Sequence, residues 1–223
     1  MIEVALFDLD DALFAHAEAM RTAVGSASAF DRWHALEEHH YHRYLAGELT
    51  FIEQRLARVR DFVGHPLTDD EAADWYAEYF ARYRAAWSLH GDALPCLSLL
   101  AGAGVRLGLI TNGERSFQQE KLDATGVTRL LEHIVASGEI GATKPDPRIF
   151  SAACGAFGVA PERALYVGDR FETDALGAAG AGLAGVWLDR LGVATSAERS
   201  RAASAGVAII RSLAELPPLV LGS

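Results

Sequence analysis

The sequence predicts an α/β fold in which a parallel sheet is interrupted by one inserted helical block. Short apolar runs, typical of strands that are buried on both faces, alternate with helical segments along most of the chain. From about residue 15 to residue 87 this alternation stops, and the sequence is rich in alanine, glutamate, arginine and aromatic residues. With 223 residues, 50% of them hydrophobic, the chain can form one α/β domain and a modest insertion.

The predicted elements follow in order along the chain. A first strand over residues 2–6 ends before Asp8, and the alternation of helices and strands resumes after Gly91. Strands that are separated by helical segments imply a parallel sheet with right-handed crossovers. A last apolar run over residues 207–210 is predicted to pair at the sheet edge. The other predicted strands are 105–110, 133–136, 164–167 and 185–188, and the predicted helices of this part are 94–101, 114–124, 147–157 and 173–179.

The helical block reads as an inserted domain. Thr68 and the acidic residues after it predict an N-cap with an acidic first turn, and so a helix that continues through Tyr83. Glycine and proline residues divide the block, and roughly four helices are expected. Since the block is too long for a strand-to-strand crossover, we predict a cap over residues 15–90 and a core made of residues 1–14 and 91–223.

Charge and hydropathy narrow the classes of partner. The formal net charge of −10 argues against general binding of nucleic acids or anionic membranes. It does not exclude a small phosphorylated substrate, because a local metal and one lysine can reverse the field at a site. No apolar run approaches the length of a membrane span. We therefore expect neither a nucleic-acid nor a membrane partner.

The cysteines and the N-terminal residues bear on the cellular compartment. Cys96 and Cys154 cannot make a disulfide framework, and neither lies in a metal-binding spacing. We expect both to be small core residues of a reduced protein. The first eight residues lack a basic region and meet acidic residues at once, which argues against a signal peptide. These observations predict a cytoplasmic location.

Four short polar segments stand out because each is placed where a predicted buried strand ends. In an open α/β sheet the loops at the carboxyl ends of the strands meet at one crevice, where ligands bind. Together the segments would bring carboxylates, a hydroxyl, backbone amides and an ammonium group to one point. That set of groups is suited to moving a phosphoryl group with the help of a divalent metal. The segments are residues 7–11, 109–113, 144–147 and 167–174.

Asp8 and Asp10 lie two residues apart where the first strand ends. If the strand stays extended, their side chains share a face and lie roughly 7 Å apart, so that they can flank one phosphorus atom. We assign Asp8 as the nucleophile, because an aspartate can form an acyl-phosphate intermediate. We assign Asp10 as the general acid towards the leaving oxygen and then as the base towards the hydrolytic water. For the pair alone, acidic residues that merely end a strand are an equal alternative.

Asp169 ends a later strand and can complete an oxygen-rich site. Carboxylates, water and phosphate oxygen suit Mg²⁺, which takes few protein ligands and keeps its waters. Such a metal would neutralise charge on the nucleophile and the phosphate. Asp174 is expected to reach back towards this site as a hydrogen-bond acceptor. It is also placed to act as an acidic residue at a helix N-terminus, and both roles can hold together.

The second and third segments offer groups for the phosphoryl oxygens. The hydroxyl of Thr111 and the backbone amides of Asn112 and Gly113 can face these oxygens, because a turn that leads into a helix is a natural anion site. Lys144 precedes Pro145, which orients the ammonium group to balance charge on the transferring group. Taken singly, the turn carries little information and Lys144 would be an ordinary surface lysine. The prediction depends on the joint occurrence of the segments, in order.

The order of these segments resembles the haloacid dehalogenase superfamily in its phosphatase branch, over nearly the whole chain. The four motifs of that family are matched by Asp8-Leu9-Asp10, by Thr111, by Lys144, and by Gly168-Asp169 with Asp174. The resemblance implies a Rossmann-like three-layer α/β/α core with a small α-helical cap. It also implies Mg²⁺ held by Asp8, by the backbone carbonyl of Asp10 and by Asp169.

Two positions depart from the family pattern. Ala12 stands where the family usually has threonine or valine, and Arg170 where it often has serine. A missing hydroxyl at position 12 could loosen the turn that orients Asp10 and so slow turnover. Arg170 could narrow the entrance or bind an anionic group of the substrate. Neither change removes a reacting group.

Within the helical block, residues 47–58 resemble cap segments of nucleotide and sugar-phosphate phosphatases of this family, in which an arginine can point at the substrate. We therefore include Arg58 among the substrate-binding candidates, although a solvated arginine is the simpler interpretation of the residue alone. The run over residues 37–42 contains three histidines, but its spacing does not fit a closed zinc site.

The resemblance predicts a Mg²⁺-dependent phosphomonoester hydrolase that acts on a small phosphorylated metabolite, of nucleotide or sugar-phosphate type, through an aspartyl-phosphate at Asp8. A 2-haloacid dehalogenase would use the same nucleophile without a metal, but dehalogenases of the family lack an aspartate at the place of Asp10. A phosphomutase of the superfamily and a non-catalytic binding module on this fold are further alternatives, and Ala12 keeps the last one open. We expect a monomer or a homodimer.

Overall fold

The computed structural model describes residues 1–222, and the chain divides into two compact units. One of them, which we call the helical unit, is Ala15–Ser88. The other, the core unit, combines Met1–Phe14 with the chain from Leu89 onward. This division lies close to the predicted limits at residues 15 and 90, and the role of the helical unit as a cap stays a prediction.

The helical unit, all of whose residues are described, contains four helices, and about four were predicted. Thr50 and Thr68 begin the third and fourth helices with capping boxes, and the predicted start at Thr68 is confirmed. Aromatic side chains fill the interior, where Trp33 packs against Trp75 and Tyr79 with ring centroids 5.1 and 4.5 Å apart. The helices are α1 (His16–Val24), α2 (Ala27–Leu45), α3 (Phe51–Val63) and α4 (Asp69–Ala85).

The core unit contains a six-stranded sheet, and the predicted α/β fold with a parallel sheet is confirmed. Its strands are β1 (Val4–Phe7), β2 (Arg106–Thr111), β3 (His133–Ala136), β4 (Ala164–Gly168), β5 (Ala184–Leu188) and β6 (Ala208–Ile210). Their order is β3-β2-β1-β4-β5-β6, with every neighbouring pair parallel. The order reverses at β1, which is typical of a Rossmann-like sheet and opens a crevice at the carboxyl end of that strand.

The helices of the core unit follow the predicted pattern for the most part. The three predicted between residues 94 and 157 are present, with ends within one residue of the predicted bounds. They are α5 (Ala93–Gly102), α6 (Arg115–Thr125) and α8 (Pro147–Phe157). Between the last two lies a short helix, α7 (Ser137–Ile140), which was not predicted.

The remaining helices differ from the prediction for local reasons. The segment predicted as a helix over 173–179 begins as a π-helical turn, Phe171–Leu176, and continues as α9 (Gly177–Gly180). Helix α10 (Ser196–Ser204) was missed because it buries only Ala202 and so has no apolar periodicity. Helix α11 (Leu216–Leu221) was missed because prolines occupy its first turn, where they are tolerated. None of the helices among residues 1–222 is long and apolar enough to span a membrane.

The register of the sheet places the ends of the central strands level with one another. Phe7 at the end of β1 lies opposite Leu109 of β2 and Val167 of β4. All four residues of β1 are fully buried, as expected for a central parallel strand that is covered on both faces. The segments that follow β1, β2 and β4 therefore emerge at the same edge of the sheet.

Gly108 in β2 allows α8 to pack closely on this sheet. A Cβ atom at this position would lie 2.7 Å from the ring of Phe157 and 2.8 Å from the side chain of Leu6. Both neighbours lie in the buried apolar interior of the core unit, where Leu6 clusters with Ile149, Phe150 and Tyr166 and with Phe157 itself. The core thus holds the central strands rigidly beneath the edge where the polar segments emerge.

Candidate active site

Lys144 is buried beside Asp8, so the interpretation as an ordinary surface lysine is wrong. Its ammonium group donates hydrogen bonds to Asp8 Oδ1 at 2.6 Å, to Asp174 Oδ1 at 2.8 Å and to the hydroxyl of Tyr166 at 2.7 Å. Burial would lower the pKa of Lys144, but the attraction of Asp174 and Asp8 outweighs it and raises that pKa. A charged ammonium group therefore joins the first polar segment to the fourth.

Asp8, Asp169 and Asp174 form an acidic cluster in which one carboxylate oxygen of each lies within 4.8 Å of the others. Burial raises the pKa of Asp8 to about 6, with Asp174 adding to the rise and Lys144 opposing it. Burial and the neighbouring carboxylates also raise the pKa of Asp169 well above its ordinary value. The ammonium group of Lys144 pairs with two of the three carboxylates, those of Asp8 and Asp174, and the cluster carries an excess of negative charge.

This excess fits a divalent cation. The donor set consists of carboxylate oxygens, which are the ligands that Mg²⁺ prefers. Burial, together with the neighbouring carboxylates, raises the pKa values of Asp8 and Asp169, and a cation beside them would favour their charged forms. Both residues were predicted as metal ligands. Among residues 1–222 no other three side chains of metal-binding type come this close together.

Asp174 reaches back to the cluster from the π-helical turn and is 1% exposed. Besides the bond from Lys144, its carboxylate accepts the backbone N–H of Arg170 at 3.1 Å. Gly168 leaves room for it, since a Cβ atom there would lie 2.3 Å from Asp174 Oδ2. The glycine before Asp169 is therefore required by the packing of the cluster.

Tyr166 is a residue of the site that sequence reasoning missed. It is fully buried in β4, and its hydroxyl lies 2.7 Å from Lys144 Nζ and 3.2 Å from the carbonyl oxygen of Ile110. Burial raises the pKa of Tyr166 well above its ordinary value, so the phenol is neutral and helps to hold the ammonium group. The available signal was one hydroxyl-bearing side chain inside an otherwise apolar strand.

The segment after β2 positions Lys144 through its backbone. Asn112 Oδ1 accepts the Lys144 N–H at 2.7 Å, and Asn112 Nδ2 donates to the Lys144 carbonyl at 3.1 Å. The N–H of Gly113 donates to Thr111 Oγ1 at 3.0 Å. The second and third polar segments are thus brought together, while the contacts of Thr111, Asn112 and Gly113 with a phosphoryl group stay predictions.

Asp10 does not lie on an extension of β1. The strand ends at Phe7, the chain bends at Leu9 between the two acidic residues, and a turn follows at Asp11, which has a φ of 59°. The alternation of an extended strand, from which the spacing of Asp8 and Asp10 was predicted, therefore does not apply. A bend and a tight turn, rather than an extended strand, therefore follow Asp8.

The carboxylate of Asp10 lies against helix α6. Lys121 Nζ is 2.6 Å from Asp10 Oδ1, and Gln118 Nε2 is 2.9 Å from Asp10 Oδ2. Neither residue of α6 was predicted as part of the site. The signal that could have found them is a pair of long polar side chains, three residues apart, on the buried side of the predicted helix.

Arg190 holds the turn that contains Ala12. Its guanidinium donates to the carbonyl oxygens of Asp11 at 3.3 Å and of Ala12 at 2.7 Å, and it forms an ion pair with Asp92 at 2.9 Å. These hydrogen bonds to backbone carbonyl oxygens stabilise the turn. We expected the turn to be looser because Ala12 has no hydroxyl, and Arg190 supplies a stabilising contact in its place. Arg170, the other departure from the family pattern, is exposed.

Arg58 lies in the interior of the helical unit and is 3% exposed, so the interpretation as a solvated arginine is wrong. Its guanidinium forms an ion pair with Glu37 and stacks over the ring of Trp33 at 4.4 Å. Glu37 also binds His16 Nε2 at 3.0 Å. The predicted contact of Arg58 with a substrate stays a prediction.

The sequence is similar to a known protein family and to characterised proteins. Residues 2–182 match the haloacid dehalogenase-like hydrolase family. The phosphoserine phosphatase of Thermus thermophilus is 43% identical over 120 residues, which are 54% of this chain and 48% of that protein. The glyceraldehyde 3-phosphate phosphatase of Methanopyrus kandleri is 32% identical over 198 residues, which are 85% of each chain. The chain thus spans about half the length of the first relative and most of the second.

Solved structures with the same fold include proteins of different activity. The HAD-hydrolase YfnB from Bacillus subtilis bound to magnesium superposes with a TM-score of 0.80 at 19% identity, over 99% of both chains. The L-2-haloacid dehalogenase from Xanthobacter autotrophicus superposes with a TM-score of 0.76 at 20% identity, over 100% of this chain and 99% of that one. At these identities the likeness shows the fold alone.

Proposed function

The chain belongs to the haloacid dehalogenase-like hydrolases, and on that premise we propose that it is a Mg²⁺-dependent phosphomonoester hydrolase that works through an aspartyl-phosphate at Asp8. The substrate is a small phosphorylated metabolite of nucleotide or sugar-phosphate type. The observation that carries the proposal is the cluster of Asp8, Asp169 and Asp174, in which Asp8 and Asp174 bind the ammonium group of Lys144. The named curated relatives, a phosphoserine and a glyceraldehyde 3-phosphate phosphatase, support a phosphate ester as the substrate.

In the first step, a carboxylate oxygen of Asp8 attacks the phosphorus atom, and the bond from phosphorus to the leaving oxygen breaks. Asp10 donates a proton to that oxygen as it departs. In the second step, Asp10 takes a proton from the attacking water, the acyl-phosphate bond breaks, and inorganic phosphate leaves with Asp8 regenerated. Bound Mg²⁺, held by Asp8, Asp169 and the Asp10 carbonyl, would supply charge neutralisation.

The other groups of the cluster prepare this chemistry. The ammonium group of Lys144 offsets charge on Asp8 and on the transferring group, and Asp174 and Tyr166 keep that ammonium in place. Thr111, Asn112 and Gly113 are proposed to contact the phosphoryl oxygens. The presence of Asp10 favours this reaction over 2-haloacid dehalogenation, which has no leaving oxygen to protonate.

The test is hydrolysis of 4-nitrophenyl phosphate and of a panel of metabolite esters by the purified protein, with and without Mg²⁺, beside Asp8→Asn. We expect activity that requires Mg²⁺ and falls at least about a thousandfold in the variant, because the nucleophile is lost. Metal-independent release of chloride from a 2-chloroacid would overturn the proposal in favour of dehalogenation. Inactivity towards both classes of compound would favour a binding module.

Arg58 remains a proposed substrate contact. Substitution of Glu37, its ion-pair partner, provides a control for the loss of the pair alone. Arg58→Met and Glu37→Gln both break the same buried pair, so an effect on folding alone would appear in both variants. A role in binding predicts a higher KM in Arg58→Met than in Glu37→Gln at equal thermal stability. Equal KM values in the two variants would show that Arg58 does not bind substrate and only stabilises the interior of the helical unit.

A further inference from the structure

Gln118 and Lys121 lie one turn apart on α6 and bind Asp10 from the same side. The ammonium group of Lys121 is 2.6 Å from Asp10 Oδ1, and Gln118 Nε2 donates to Asp10 Oδ2 at 2.9 Å. Both residues are almost completely buried, at 1% and 2% exposure. Each oxygen of one carboxylate is thus held by a separate side chain, and the plane and direction of the carboxylate are set by α6.

Asp10 does not need the ion pair with Lys121 in order to have its carboxylate solvated or hydrogen-bonded. The side chain of Asp10 is 32% exposed, so water could solvate its carboxylate without any help from α6. Lys121, in contrast, is buried with its ammonium group 5.0 Å from the ring centre of Phe14 and 4.7 Å from that of Phe117. Burying a charge in this way costs free energy unless it is paired, and a long apolar side chain would fill the space at no such cost.

The choice of lysine is itself informative. The sequence contains 20 lysines and arginines, and only two of them are lysine, Lys121 and Lys144. The chain uses arginine even in the buried pair of Arg58 with Glu37. An ammonium group is a compact point charge, whereas a guanidinium is a broad planar fork. The two lysines are the residues that bind Asp8 and Asp10, the two carboxylates to which the proposed reaction assigns chemistry.

Gln118 links Asp10 to the last residue of β2. Its Nε2 also donates to Thr111 Oγ1 at 2.9 Å, while its Oε1 is buried without a hydrogen-bond partner. The reverse orientation of the amide would place Oε1 against the carboxylate of Asp10, which is repulsive. Gly113 leaves room for this arrangement, because a Cβ atom there would lie 2.6 Å from Gln118 Nε2. The Gln118 amide thus donates hydrogen bonds to both Asp10 and Thr111, while its own oxygen stays without a hydrogen bond, which costs free energy.

From this geometry we propose that Lys121 and Gln118 are positioning residues that aim the carboxylate of Asp10 at the leaving oxygen of the substrate. The inference rests on the proposed function, because it concerns the proton that Asp10 gives to that oxygen. Neither residue reacts, and each acts only through the direction of Asp10. Their effect must therefore depend on how much the leaving group needs the proton.

Two esters separate this role from a purely structural one. An alkyl phosphate such as glycerol 1-phosphate has a basic leaving oxygen that needs a proton, whereas 4-nitrophenolate leaves without one. We measure kcat/KM, which covers the steps up to departure of the leaving group, for Lys121→Met, Lys121→Arg and Gln118→Leu. Asp10→Asn serves as the reference, because it removes the acid itself.

We expect Lys121→Met to lose about 30-fold on the alkyl ester and less than about 3-fold on the nitrophenyl ester, since general acid catalysis contributes about 100- to 10,000-fold. Gln118→Leu should show the same pattern more weakly, and Lys121→Arg should recover part of the loss by restoring charge. Gln119→Leu is the matched control, because Gln119 donates to Asp123 on the same helix at 2.8 Å and should lose nothing on either ester. Equal losses on the two esters would overturn the proposal.

A second measurement tests the contact without relying on activity. Since the chain has two lysines, the protein grown with ¹³C-labelled lysine gives two sets of side-chain NMR signals, and Lys121→Arg identifies them. Asp10→Asn should shift the Lys121 signal and leave that of Lys144, which then reports that the fold is intact. An unmoved Lys121 signal would overturn the inference even in an active enzyme. Inactivity of the wild-type protein with the shift present would instead locate the failure in the proposed function.

Discussion

The core unit and the helical unit each bury a group of charged side chains, but with opposite balance. In the core unit, Asp8, Asp169 and Asp174 lie close together, and the ammonium group of Lys144 pairs with two of them, Asp8 and Asp174. In the helical unit, the carboxylate of Glu37 is paired with Arg58 and with His16. In the core-unit group the carboxylates outnumber the cations, whereas in the helical-unit group the carboxylate of Glu37 is fully paired.

The pKa values report this difference. Burial raises the pKa of Asp8 to about 6, and burial with the neighbouring carboxylates raises that of Asp169 well above its ordinary value. Burial acts in the same direction on Glu37, but Arg58 and His16 outweigh it and hold its pKa far below the ordinary value. An unsatisfied cluster is ready to bind a cation or an electrophile, whereas a satisfied pair stabilises the fold. The following predictions test this contrast.

The largest effect on stability is expected from Glu37→Gln. The substitution leaves the guanidinium of Arg58, which is 3% exposed, without its carboxylate, and breaking a buried pair in this way costs about 3–5 kcal/mol. Urea unfolding, followed by circular dichroism, measures the change. The double variant Glu37→Leu/Arg58→Met removes both charges and should recover most of the loss. If the single variant unfolds at the wild-type urea concentration, the pair is not a structural one.

A smaller stabilisation is expected when Mg²⁺ is added to the metal-free protein. Binding to the unsatisfied cluster stabilises the folded state by mass action, by about 2.7 kcal/mol when the free metal is at 100 times its Kd. Thermal unfolding should therefore shift to higher temperature with Mg²⁺. Asp169→Asn should abolish the shift, while Asp61→Asn in the helical unit should leave it unchanged. An equal shift in the Asp169 variant would place the cation elsewhere.

The smallest effect concerns Asp92, a satisfied carboxylate in the same unit as the unsatisfied cluster. Partial burial would raise its pKa, but hydrogen bonds from Arg190, Ser212 and the N–H of Leu213 outweigh this and lower it to about 2. A lowered pKa contributes stability that is present above the unfolded value of about 4 and is lost as the pH falls towards 2. Asp92→Asn should therefore be less stable than wild type at pH 6, by about 1 kcal/mol.

The measurement is urea unfolding of the two proteins from pH 6 to pH 2.5. The stability difference between wild type and Asp92→Asn should shrink over the lower half of this range, because protonation of Asp92 removes the same hydrogen-bond acceptor as the substitution. A difference that stays constant with pH would show that the carboxylate charge does not contribute.

The sequence was sufficient to predict those structural elements that depend on a local pattern of residues. The apolar runs and the acidic residue after the first one predicted the strands of the core unit to within two residues, because burial on both faces requires continuous apolar sequence. Thr68 predicted a helix start through a capping box of four residues. The family resemblance, carried by segments that include Asp8 and Lys144, agrees with the family match over residues 2–182.

Pairings between distant residues were decided by the tertiary structure. Lys121 and Asp10 are separated by 111 positions and Gln118 and Asp10 by 108, and the sequence does not indicate which residue these two side chains of α6 contact. The direction of the Asp10 carboxylate depends on its contacts with α6, and the turn after it contains Asp11, which adopts a positive φ although it is not a glycine.

The sequence by itself thus determined the strands and most of the helices, the places along the chain of the carboxylates that are proposed to react, and the family to which the chain belongs. Only the tertiary structure decided which cations meet which carboxylates. It placed Lys144 between Asp8 and Asp174, and it placed Arg58 against Glu37 in the interior of the helical unit. The physical reason is that apolar periodicity and caps act over a few residues, whereas the balance of buried charge depends on packing and strand register across the whole chain.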